Sequence, residues 1–185
     1  MSNIVIERLV TDRSESDVTR IKWLISKGID GMTIEELTYF LRGSAVPAYA
    51  KDGVLQNSNG TIHCMDGVVK GAYNATDLNR VGEAVKYLAA LLSTYGYSVS
   101  VSPKTDWTDN GYLQRSDAET YLSNISALRN ALVMADETPP TPADMEKFTY
   151  KKANDIEQIL KSVEDSIIRM EHSNIYCGEY YGGEL

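Results

Sequence analysis

The chain is predicted to be mainly α, a bundle of four to five helices with a small β-hairpin or strand component and an extended C-terminal tail. Three observations predict it. Apolar residues recur at steps of three and four, most clearly from Leu78 to Leu92 and from Ala153 to Met170. Ser, Thr or Asn stands at the head of each such stretch, often with an acid three residues on. One stretch, 44–71, differs: it carries the turn signals Pro47, Gly53, Asn59-Gly60 and Asp66-Gly67 and supplies the small β component.

Taken in order, NIVIERLV (3–10) is β-prone and reads as an extended arm or an edge strand. Ser14-x-x-Asp17 opens a helix, with Val18, Ile21 and Ile25 on its apolar side and Gly28 as the stop. Thr33-x-x-Glu36 is a full capping box followed by Leu37, Phe40 and Leu41 and closed by Gly43, so the two short helices form an αα-hairpin. In 44–71, Asn59-Gly60 stands between VLQNS and TIHCM. A type I′ turn needs positive φ at both central residues, so a hairpin is expected over about 53–69. Asn74 or Thr76 caps the next helix, whose stripe is Leu78, Val81, Val85, Leu88 and Leu92, widened by Ala84, Leu91 and Tyr95 and ended by Gly96.

YSVSVS (97–102) alternates at period two and reads as a strand stopped by Pro103, followed by a polar loop (104–112) that carries Trp107. Ser116-x-x-Glu119 reads as a capping box before Tyr121, Ile125, Leu128 and Leu132. ADETPPTPAD (135–144) is an extended connector, because a residue before proline avoids the α region. Thr149 opens the last helix, where Ala153, Ile156, Leu160, Val163, Ile167 and Met170 make a short heptad seam, suited to an intramolecular bundle or to a homomeric coil. The tail, 175–185, is aromatic and Gly-rich and reads as extended. The expected organisation is one helical domain, 1–173, with a hairpin insertion at about 44–69, then a tail, 174–185. Ser16-Asp17-Val18-Thr19-Arg20-Ile21 echoes Thr76-Asp77-Leu78-Asn79-Arg80-Val81, which convergence on one helix-start chemistry explains.

The net charge of −8 repels a phosphate backbone, and the basic residues Lys147, Lys151 and Lys152 are interleaved with acids, so no nucleic-acid partner is expected. No run reaches the roughly 18 apolar residues of a membrane span, and no signal peptide is expected at MSNIVIERLV. Cys64 and Cys177 fit no disulfide framework and read as reduced thiols.

No GxSxG, Walker loop, HExxH, CxxC or EF-hand pattern occurs, so no catalytic residue, metal ligand or cofactor is expected. His63, Cys64, His172 and Cys177 are zinc-type residues. The first two are strand neighbours pointing to opposite faces, and the last two are five apart, not a chelating spacing. Asp77, Arg80 and Glu83 read as a solvated ladder or as a functional polar patch. Trp107, Tyr176, Tyr180 and Tyr181 are the interaction candidates, because aromatics with polar tips give large contact area at low entropy cost. Burial is the competing reading at Trp107. An extended tail suits strand addition to a partner.

KGAYNATDLNRVGEAVKYL (70–88) resembles a run found in structural proteins of phage and prophage tail regions from gut Firmicutes. The resemblance continues through TDRSESDVTRI, VSPKTDW, FTYKKANDIEQIL and the GE-containing tail, and it departs at 44–66, which looks like an insertion. It implies a non-enzymatic virion component of the tail, baseplate or fibre region. Such a component assembles in the bacterial host cytoplasm and contacts other virion proteins or further copies of itself. Within the motif, Gly71 is expected to permit close backbone approach, Tyr73 to pack, Asn74 or Thr76 to cap, and Asp77 and Arg80 to help fix the loop. A different class of function, carbohydrate or host-surface binding through exposed aromatics, would use Trp107 and the tail tyrosines. A wall hydrolase would require converging carboxylates or a metal pocket.

Overall fold

The computed structural model describes residues 3–40, 45–47, 61–63, 69–108 and 111–179. The protein is mainly helical. In chain order the elements are α1 (Ile4–Glu7), α2 (Glu15–Lys27), a 3-10 turn (Ile29–Gly31), α3 (Ile34–Phe40), β1 (Ala45–Pro47), β2 (Thr61–His63), α4 (Ala75–Thr94), α5 (Arg115–Asn130) and α6 (Tyr150–Glu179).

The main core lies between α4, α5 and α6. Val81, Ala84, Leu88 and Leu92 meet Ile125 and Leu128 and the seam Ile156, Leu160, Val163 and Ile167 there, all at most 1% exposed. The heptad seam of the last helix is therefore spent inside the chain. A second, smaller cluster joins Ile21, Leu24, Met32, Leu37 and Val69 beneath α2 and α3.

The three long helices run in the same direction. Arg80 near the start of α4 meets Glu157 near the start of α6, Tyr87 meets Glu164, and Tyr97 beyond the end of α4 meets Met170. Parallel neighbours need a return as long as the helix, and the chain supplies two. The first return passes Ser102, whose N–H donates to Asn124 Oδ1 at 2.8 Å, and ends at Trp107, whose N–H donates to Asn79 Oδ1 at 2.8 Å while Asn79 Nδ2 donates back to the Trp107 carbonyl. The second carries the proline-rich connector, with Arg129 donating to the carbonyls of Pro139 and Thr138.

Helix starts follow local chemistry. Ser14 and Asp17 form a reciprocal capping box on α2, Asn74 and Asp77 form one on α4, and Thr33 and Glu36 exchange the equivalent bonds before α3. The end of α4 is a Schellman turn: Tyr97 N–H donates to the Leu92 carbonyl and Gly96 N–H to the Ser93 carbonyl, with Gly96 at φ +84°.

Several expectations are corrected. Residues 4–7 are a helical turn, not an arm or strand: with no sheet neighbour among the described residues, the backbone satisfies itself within the turn, capped by Asn3, and buries Ile6 and Leu9. The stretch 97–102 is extended but is not a strand. Its alternation is real, with Val99 and Val101 half-buried against the core, yet no ladder partner lies beside it among the described residues. In α2 the buried residue after Ile21 is Leu24, and Ile25 is 62% exposed. α5 starts at Arg115, so Ser116 is an interior residue whose carbonyl accepts from Thr120 Oγ1, and Gln114 makes no side-chain cap.

α6 continues as helix to Glu179, across the expected 173/174 boundary. Each added helical residue closes its own hydrogen bond, which an unpartnered extended tail cannot do. β2 pairs antiparallel with β1, Val46 opposite Ile62. The expected partner stretch 54–58 and the Asn59-Gly60 turn lie outside the described residues, as does 180–185 of the tail.

Candidate functional site: a buried ion cluster under the motif

The motif loop 70–74 packs between α2 and the start of α4. At Gly71 a Cβ atom would lie 2.1 Å from the Asp17 carbonyl oxygen, so only glycine lets the loop touch the α2 backbone. Tyr73 packs its ring on Phe148, centroids 4.8 Å apart, and its hydroxyl pairs with that of Tyr121 at 2.5 Å. Burial pushes both hydroxyls well above the ordinary tyrosine range, and Glu157 adds to this at Tyr73, the neighbouring Tyr73 at Tyr121. Asn74 Oδ1 accepts from the N–H groups of Thr76 and Asp77.

Asp77 and Arg80 are not a solvated ladder. With Arg13 and Glu157 they form a closed ion cluster, in which Asp77 and Glu157 are at most 1% exposed. Arg13 Nη2 donates to Asp77 Oδ1 at 3.0 Å and to Glu157 Oε1 at 2.6 Å; Arg80 Nη2 donates to the same two oxygens at 2.5 and 3.0 Å. The outer oxygens are also engaged: Glu157 Oε2 accepts from the Val10 N–H and from Arg80 Nε, and Asp77 Oδ2 from the Asn74 N–H. Burial alone would lower the Arg80 pKa, but the charges of Glu157 and then Asp77 outweigh it and hold the pKa above the ordinary value. The Arg13 guanidinium sits 5.3 Å from the Tyr73 ring centroid.

Two arginines and two carboxylates balance in charge, and every carboxylate oxygen already accepts at least one hydrogen bond. A general base needs a lone pair within reach of a substrate proton. These carboxylates are committed to holding the chain. The cluster closes a strap: residues 3–14 cross the bundle with the Asn3 N–H donating to Glu164 Oε1, Val10 N–H to Glu157, and Arg13 N–H to Asn154 Oδ1, while Asn154 Nδ2 returns a bond to the Arg13 carbonyl. Beside it opens a cavity of about 400 Å³, lined by Val18, Lys22, Lys70, Tyr73, Phe148 and Tyr150 among others.

Sequence reasoning did not find Arg13 and Glu157. One signal was present: Glu157 and Glu164 stand seven residues apart, each directly after a seam residue, Ile156 and Val163. Acids repeating beside an apolar seam must either reach solvent or find partners, and these two bind the strap.

The aromatic candidates separate. Trp107 is 9% exposed and belongs to the core, with Lys104 Nζ 4.0 Å from its ring centroid, so it is not an exposed contact residue. Tyr176 lies on α6, while Tyr180 and Tyr181 lie outside the described residues. The exposed tryptophan is Trp23 on α2, at 52%. Among the described residues no group of three or more His, Cys, Asp and Glu is placed to hold a metal ion, and no helix is long and apolar enough to cross a membrane. His172 is exposed on α6, and Cys64 lies outside the described residues.

Comparison with known proteins finds no matching family model, no matching curated protein and no matching solved structure.

Proposed function

We propose that the chain is a non-enzymatic structural component of a phage or prophage virion, placed in the tail, baseplate or fibre region and assembled in the host cytoplasm. The resemblance of KGAYNATDLNRVGEAVKYL to tail-region structural proteins supplies the class. The observation that carries the reading is that the motif residues all hold the fold. Gly71 makes the close approach, Tyr73 the hydroxyl pair and Asn74 the cap, and Asp77 and Arg80 belong to the ion cluster. A motif occupied in this way supports a building block better than a reaction centre. The carbohydrate alternative loses its main platform with Trp107 in the core.

The test is to induce the prophage of a strain encoding this chain, purify particles on a density gradient, and quantify the chain by mass spectrometry. Several copies per particle are expected. Absence from particles while the chain is abundant in the same cells would sink the reading.

A further inference from the structure

We propose that the cleft between α2 and the start of α6 is a binding site for an oxyanion of the phosphate class. The cleft is the cavity of about 400 Å³ beside the ion cluster. Lys22 of α2 and Lys70 stand on one side, the rings of Tyr73 and Phe148 on another, and Thr149 and Tyr150 bring in the head of α6. Three independent observations meet there. The first is Arg13, which lines the cleft with its side chain only 1% exposed. Its Nη1 donates to the Val10 carbonyl and its Nη2 to Asp77 and Glu157, while Nε is buried and has no partner. A buried donor without an acceptor is costly, and the cleft that Arg13 borders is open to one.

The second is the start of α6, a helix of 30 residues. Among the described residues the N–H groups of Tyr150 and Lys151 have no acceptor, and Thr149 Oγ1 takes only the Lys152 N–H, at 3.4 Å. At this place α2 and α4 carry an aspartate in a capping box, whereas α6 has no acid in its first turn and carries Lys151 and Lys152. The dipole of a helix disfavours cations there and favours an anion. Lys152 is engaged by Asp144. The third is Lys22, exposed on the α2 side with no ion pair among the described residues. Lys70 is shared with Asp12. Glu15 is the only acid lining the cleft among the described residues, and it stands about 10 Å along α2 from Lys22, so the anion sits toward Lys22.

The chain is acidic and repels anions at long range, so affinity must come from these donors at contact. Backbone N–H groups, an arginine nitrogen and a lysine approaching from different sides suit the tetrahedral oxygens of phosphate. The aromatic side leaves room for an organic body esterified to it.

The site is separate from the assembly role, which particle analysis tests on its own. The full chain is titrated with inorganic phosphate and with phenyl phosphate at constant ionic strength, and amide and Arg13 Nε–H signals are followed by NMR. Saturable shifts are expected at Tyr150, Lys151 and Arg13 Nε–H. Equal affinities identify the free anion as the ligand and tighter phenyl phosphate an organic ester; either supports the site. Lys22→Glu is expected to weaken binding by about tenfold, while Lys86→Glu, the same charge change on the exposed side of α4, leaves it unchanged. No saturable shift with either probe, or equal losses in the two variants, would overturn the inference.

Discussion

Asp77 stands where the dipole of α4 already favours a carboxylate, and it serves two ends at once: one oxygen closes the capping box on Asn74, the other receives both arginines. Glu157 does the same between the strap and α4. A buried ion cluster contributes little net stability over an apolar filling, but losing one member leaves a charge without compensation. The tyrosine pair beside it gives a pH signature. Burial keeps the Tyr73 and Tyr121 hydroxyls protonated in the folded state, whereas in the unfolded chain they ionise near the usual value of about 10. Above that pH the folded state binds more protons than the unfolded state, so stability falls as pH rises. In an alkaline titration of tyrosine absorbance, two of the twelve tyrosines are expected to ionise only when helical circular dichroism is lost. Ionisation of all twelve with the helices intact would contradict the buried pair.

At the scale of the element, α4 carries a conflict of propensities. Gly82 lies within the helix, where alanine is favoured by about 1 kcal/mol. A Cβ there would stand 2.3 Å from the Lys104 carbonyl of the first return. Close packing dominates, and Gly82→Ala is expected to destabilise by about 1–3 kcal/mol in urea unfolding, where a stabilised variant would refute the close approach. The starts of α2 and α3 were legible in the sequence because a capping box is complete within four residues, whereas at α4 Asn74 and Thr76 both fitted as the cap and the structure assigns Asn74. The Ser116 box failed because the same spacing also occurs just inside a helix, where the carbonyl of Ser116 is used by Thr120 instead. The strap helix α1 was missed because four residues cannot show a period, and Ile6 and Leu9 are placed by α4 and α6. Period-two alternation at 97–102 correctly marked an extended segment with one face inward, but a strand also needs a neighbour, which local sequence does not specify. Arg13 was illegible for a related reason: its partner Glu157 is 144 positions away.

For the whole molecule, the parallel course of α4, α5 and α6 gathers three helix starts at one end and three helix ends at the other. The end with the starts collects the cap carboxylate, the tyrosine pair and the ion cluster, and there the strap and the α2–α3 unit are bound to the bundle through Arg13, Gly71 and the Lys70–Asp12 pair. The two long returns between α4 and α5 and between α5 and α6 make this course possible. The central claim is that the motif holds the fold together by clamping the strap. It is tested most directly by residue-resolved hydrogen exchange on the wild type and on Asp77→Asn, a change expected to cost about 3–5 kcal/mol by leaving the arginines one carboxylate short. The account predicts that the Val10 and Arg13 amides exchange slowly in the wild type and are released in Asp77→Asn ahead of the α4 and α6 core amides. Strap amides that exchange at free-peptide rates in the wild type, or that keep their protection in the variant, would contradict it.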